Sequence, residues 1–207
     1  MKRALALFLV LAMAVLLLTG CSNNEIPVIE TASYFDMSSY DTSKPIKFEI
    51  VMESGDRMEG ELYYNIAPIS VANFVTLANK GFYDGLTFHR VVADKLIQGG
   101  CQYGDGTSGF HNTEYTIRGE FSDNGWNNTL SHEQGVLSMA RYSDNYNSAY
   151  SQFFICSARI STLDSEHAAF GKITSGLNVV TKLSRAEAID EVPTEDIVIA
   201  EINILGN

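Results

Sequence analysis

With 207 residues, 45% hydrophobic and 11% aromatic, the chain can bury the core of one sizeable globular domain and is too short for two large ones. Its 14 lysines and arginines stand against 25 aspartates and glutamates, a formal net charge of −11. That balance argues against nucleic acid, which needs clustered cations, and offers no attraction to anionic lipid, so any hold on a membrane must be covalent.

Lys2-Arg3 precede an unbroken apolar run, Ala4–Leu18. The run suits the core of a secretory signal and is short for a spanning helix, which needs about 20 residues. It ends in Leu18-Thr19-Gly20-Cys21, which resembles the bacterial lipobox. The resemblance implies residues 1–20 as a lipoprotein signal peptide, cleavage before Cys21 and a diacylglyceryl group on its sulfur. Two acyl chains hold a protein stably where one is marginal. An uncleaved anchor is the competing reading, and either places the folded part at the outer face of the cytoplasmic membrane. Loss of Lys2 and Arg3 leaves 12 basic residues against 25 acidic ones, a net −13. Residues 21–45, rich in Ser, Asn, Asp and Thr, read as the lipidated cysteine and a flexible linker, with Ile29, Tyr34 and Phe35 available to dock on the domain. Cys101 and Cys156 then remain in a compartment that permits disulfides. They read as two separate, buried thiols, since neither sits in a Cys-x-x-Cys or a Cys/His cluster.

Residues 46–207 have the texture of a β domain. Ile46–Met52 and Met58–Tyr64 alternate as strands around a Glu-Ser-Gly-Asp-Arg turn. Ala67-Pro68 opens a helix whose Val71, Phe74, Val75 and Ala78 share one face, and Asn79-Lys80-Gly81 ends it. Short strands follow at Thr87–Val92, Leu96–Gln98, Gly135–Ala140, Phe153–Cys156 and Ala168–Lys172. A second helix near Ser175–Leu183 and a last strand at Ile197–Ile204 complete the pattern. Between Gly99 and Gly135 runs a long polar stretch of the kind that is often functional. Many short strands, two helices and long loops point to a closed or nearly closed β-barrel capped by helices.

Four blocks narrow this further: Phe88-His89-Arg90-Val91-Val92 with Ile97-Gln98-Gly99-Gly100; Gly135–Ala140; Ser151-Gln152-Phe153-Phe154-Ile155; and Leu163-Asp164, His167 and Phe170-Gly171-Lys172. In this order they resemble the cyclophilin family of peptidyl-prolyl cis-trans isomerases, in its bacterial form, over about Ile46 to Ile204. The resemblance implies a mainly β fold, a closed eight-stranded antiparallel barrel capped by two helices, with the substrate groove on its outer face. It implies no cofactor. No metal is expected either, since His89, His111, His132 and His167 have no ligand spacing and no phosphate-binding loop is present.

By that resemblance Arg90 is the catalytic residue. Rotation about an X-Pro bond is opposed by amide resonance, a barrier of about 18–20 kcal/mol. A fixed cation donating to the prolyl nitrogen favours the twisted amide over either planar form, and a guanidinium stays charged and rigid at any relevant pH. Gln98 is expected to bond the substrate backbone beside proline, with Gln152 supporting it. Leu96, Phe154 and Leu163 are expected to form the proline pocket and His167 its rim. Ala140 and Arg141 would line the path of the residues before proline, and His89 would support Arg90 from the other strand face. Phe153 belongs to the core.

The chain departs from the family pattern at four positions. Lys95 replaces an aromatic, and its ammonium near Arg90 would favour acidic substrates; its stem can cover part of the lost wall. Thr162 stands where a tryptophan is common, which predicts weak cyclosporin binding. Arg141 replaces an asparagine and Cys101 an acidic residue. Trp126, the single tryptophan, lies in the variable stretch and outside the expected site. The expected partners are proline-containing segments of unfolded or partly folded exported proteins, met by a monomer. The alternative is a membrane-tethered binding module or chaperone that uses the same groove with little turnover.

Overall fold

A computed structural model describes residues 26–107 and 113–207. The leader, Cys21 and His111 lie outside them. Eight strands form one antiparallel sheet: β1 (Ile46–Met52), β2 (Arg57–Leu62), β3 (Arg90–Val92), β4 (Leu96–Gly99), β5 (Val136–Met139), β6 (Phe153–Cys156), β7 (Ala169–Ser175) and β8 (Ile199–Gly206). Their order is β8-β1-β2-β7-β5-β6-β4-β3. Two helices accompany them, α1 (Pro68–Asn79) and α2 (Leu177–Leu183).

The sheet curls round an aromatic interior. Along β1, Ile46, Phe48 and Ile50 are fully buried while Lys47 between them is exposed, the period-two pattern that makes the sheet one-sided. Helix α1 closes one end by lowering Phe74 among Phe48, Tyr83, Phe153 and Phe170, with ring centroids 5.2–6.0 Å apart. Each such ring contributes about 1.5–3 kcal/mol by leaving water. Helix α2 adds Val179, Val180 and Leu183 to the same core.

The expected closed barrel is closed more loosely than a continuous ladder would close it. The edge strands β8 and β3 do not pair. The chain just before β3 spans the gap instead: Thr87 bridges Val198, the Phe88 N–H donates to the Ile197 carbonyl at 2.9 Å and the Ile199 N–H to the Leu86 carbonyl at 2.8 Å. This diversion is why the expected Thr87–Val92 strand is regular only from Arg90.

Two regions expected to be loose are packed. Val28–Ile29 pairs in parallel with Thr116–Ile117, Phe35 and Met37 are buried, and the Tyr34 and Phe35 rings meet Tyr115 at 5.4 and 5.8 Å. From the long polar stretch, Glu120 reaches the start of α1, where Ala67 offers no side-chain cap. Its two carboxylate oxygens accept the Ile69 and Ser70 N–H groups at 2.8 Å each, filling positions that helix geometry leaves open. Burial pushes its pKa up to about 7, against the pull of those two bonds.

Candidate functional site

Strand alternation divides β3, β4, β6 and β5 into an inner and an outer face. Val91, Ile97, Ile155 and Leu137 stand in register and face the core, all essentially buried. The neighbouring row, Arg90–Gln98–Phe154–Ser138, is also in register and projects outward, followed by Val92–Leu96–Cys156. The short strands thus bring residues from three separated blocks onto one surface, where a groove of about 870 Å³ opens.

One end of the groove is polar. Arg90 Nη1 donates to Gln98 Oε1 at 3.1 Å, Gln98 Nε2 to Gln152 Oε1 at 2.8 Å, and Gln152 Nε2 to the Gly106 carbonyl at 3.0 Å. Gln152 is fully buried and does not line the groove; it orients the amide of Gln98, which does. Gly100 lets this chain form. It holds φ at +82°, and a Cβ there would collide with the Ser151 carbonyl oxygen and come within 3.2 Å of Gln152 Cα.

The other end is apolar. Leu96, Ala140, Phe154 and Cys156 form a small cluster separate from the main core, with Val92, Ile160 and Leu163 packed against it. The Phe154 ring is held between two imidazoles, His132 stacked at 5.8 Å and His167 edge-on at 5.4 Å. His167 Nδ1 lies 3.0 Å from the Met139 carbonyl oxygen. A carbonyl only accepts, so the proton sits on Nδ1. Burial lowers the His167 pKa to about 4 despite that bond, so the rim of the pocket is neutral at pH 7. His89 is buried too, and burial lowers its pKa.

Of the residues expected from the sequence, His89, Arg90, Leu96, Gln98, Ala140, Arg141, Phe154, Leu163 and His167 all line the groove, with Lys95 at its edge. The Arg141 guanidinium faces its own wall: Nε donates to the Glu166 carbonyl at 2.8 Å, Nη1 to the Tyr142 carbonyl at 2.7 Å, and the group lies 4.8 Å from the Tyr146 ring centre. Trp126 lies elsewhere, its Nε1 donating to the Ile66 carbonyl at 3.0 Å.

Two contributors were not read from the sequence. His132 is fully buried behind Phe154, with Nε2 2.9 Å from Ser138 Oγ and Nδ1 3.1 Å from Asp164 Oδ1. The second is Glu191, whose Oε2 accepts from Arg90 Nε at 2.7 Å. Cys101 and Cys156 are both buried and are not joined in a disulfide, and burial pushes the Cys156 thiol up to about 12. Among the described residues no group of three or more His, Cys, Asp and Glu is placed to hold a metal ion.

Comparison with known proteins agrees with this geometry. Residues 47–204 match the family model "Cyclophilin type peptidyl-prolyl cis-trans isomerase/CLD". Peptidyl-prolyl cis-trans isomerase B of Bacillus subtilis is 44% identical over 145 residues, covering 70% of this chain and 95% of the relative. A cyclophilin type peptidyl-prolyl cis-trans isomerase from Cryptosporidium parvum superposes with a TM-score of 0.71 at 27% identity, over 79% of this chain and 99% of that one. Its structure in the presence of the dipeptide Ala-Pro gives 0.69 at 28% identity, over 78% and 99%. An outward arginine, a glutamine relay and an apolar pocket beside them therefore sit on a fold shared with catalysts of prolyl-bond rotation, and the chain belongs to the cyclophilin-type peptidyl-prolyl cis-trans isomerases.

Proposed function

We propose that this isomerase acts on exported polypeptides at the outer face of the cytoplasmic membrane, held there by lipid on Cys21, and that Arg90 stabilises the twisted amide. The observation that carries the catalytic part is the Arg90–Gln98–Phe154 row, which sets a guanidinium and an oriented amide beside an apolar pocket. The pocket would receive the prolyl ring and fix one side of the bond while the other rotates, an orientation effect. Arg90 would donate to the prolyl nitrogen as it becomes pyramidal, an interaction absent in both planar forms. Gln98 would bond the substrate backbone. His167, neutral at working pH, would supply a wall; the reaction needs no proton transfer.

The anchoring part is supported by Leu18-Thr19-Gly20-Cys21 after a short apolar run. Its test is expression in a bacterial host with labelled palmitate. The protein should fractionate with membranes and carry label, and Cys21→Ala should lose the label. An unlabelled, soluble wild-type protein would overturn the lipid reading, and a membrane-bound, unlabelled one would favour the uncleaved apolar anchor.

A further inference from the structure

We propose that Glu191 is a positioning residue for Arg90, delivered by a strained turn. This rests on the reading of Arg90 as the donor to the twisted amide. Ala188 pairs with Pro193 and Ile189 with Val192, leaving Asp190-Glu191 as a two-residue loop. Both loop residues take positive φ, 50° and 68°, the pattern of a type I′ turn, whose second position strongly favours glycine. A glutamate at φ 68° is strained relative to that choice, because its Cβ crowds the following carbonyl oxygen, and such outliers concentrate at functional sites.

What the glutamate supplies in return is visible. Its carbonyl accepts the Val91 N–H at 2.7 Å, which docks the turn on the free edge of β3. Its carboxylate takes Arg90 Nε at 2.7 Å. Glycine would keep the first contact and relieve the strain; only the second needs a side chain. With Nε held by Glu191 and Nη1 by Gln98 at 3.1 Å, the guanidinium is fixed from two sides. Its remaining N–H groups are left for the groove. An arginine otherwise spends rotamer freedom to reach one geometry, so the second hold raises the fraction of molecules ready to donate. Arg90 and Glu191 are each more than two-fifths exposed as side chains, so the gain is that of an exposed ion pair, roughly 0.2–1 kcal/mol, or up to about fivefold in rate.

The test is a double-mutant cycle on the full chain in mild detergent, with kcat and KM taken from NMR exchange of a proline peptide. Glu191→Gly is expected to keep or raise the melting temperature, lower kcat by up to about fivefold and leave KM within twofold. In an Arg90→Ala background the same change should do nothing more. Glu191→Gln, which retains an acceptor for Nε, should restore most of the lost rate. The proposal falls if Glu191→Gly turns over as fast as wild type while Arg90→Ala is impaired. It also falls if Gln does no better than Gly, or if Glu191→Gly costs as much without Arg90. Full activity in Arg90→Ala alone would instead remove the premise, a failure distinguishable from these.

Discussion

Gly100 never touches the groove, yet the structure makes it a condition of the site. Its φ is +82° and an added Cβ would run into backbone, the Ser151 carbonyl and Gln152 Cα. Gly55, in the β1–β2 turn, has a similar φ of +86° and open space around it. The pair separates two costs. Gly55→Ala meets only the left-handed conformation, about 1–2 kcal/mol, offset by about 0.4–1 kcal/mol of lost freedom in the unfolded chain. Gly100→Ala adds the displacement of the packed Ser151-Gln152 backbone, about 1–3 kcal/mol. It should therefore be less stable than Gly55→Ala by at least about 1 kcal/mol, read as a lower urea midpoint with unchanged slope. The segment that must move, just before β6, carries Gln152, which orients Gln98, so kcat/KM should fall in Gly100→Ala and stay near wild type in Gly55→Ala. Equal stability of the two variants, or full activity in Gly100→Ala, would refute the reasoning.

Two further predictions follow from charge. With the His167 pKa lowered to about 4 and no proton moved in the reaction, kcat/KM should be flat from about pH 5.5 to 8. It should decline only as pH falls through about 4, where His167 gains a charge at the pocket rim; a step near pH 6.5 would contradict this. Lys95 is exposed at the groove edge and has no ion-pair partner among the described residues, while its neighbour Asp94 is engaged by Arg185 at 2.6 Å. Lys95→Glu should lower kcat/KM severalfold for a peptide with glutamate beside proline relative to one with lysine, and the difference should shrink in high salt. No change in that ratio would dismiss the cation as a selector.

The sequence was most legible where function is carried by short contiguous blocks. Because side chains alternate strictly along strands, the sequence alone puts Phe153 and Phe154 on opposite faces, and the core and pocket clusters separate them that way. Illegible were contacts made across chain distance by segments with no period of their own. Glu191 meets Arg90 over 101 positions from a two-residue turn lacking the glycine or asparagine that announces such turns. Glu120 caps a helix 50 positions away, and His132 backs Phe154 from a loop whose residue pattern resembles ordinary coil. Closure of the barrel was overstated for a related reason. Strand pattern identifies which residues can pair, whereas the use of Thr87–Phe88 to bridge Ile197–Val198 depends on where the loops run.

The central claim is that Arg90 lowers the rotation barrier rather than merely holding the peptide. The most direct measurement compares wild type and Arg90→Ala on one proline peptide, with the cis–trans exchange rate and the dissociation constant taken from the same NMR titration. The account predicts a fall in catalysed exchange of about 10²–10³-fold, the size expected for loss of one donor aimed at a transition state, with affinity changed by no more than a few fold. Exchange within twofold of wild type in Arg90→Ala, at unchanged affinity, would contradict it.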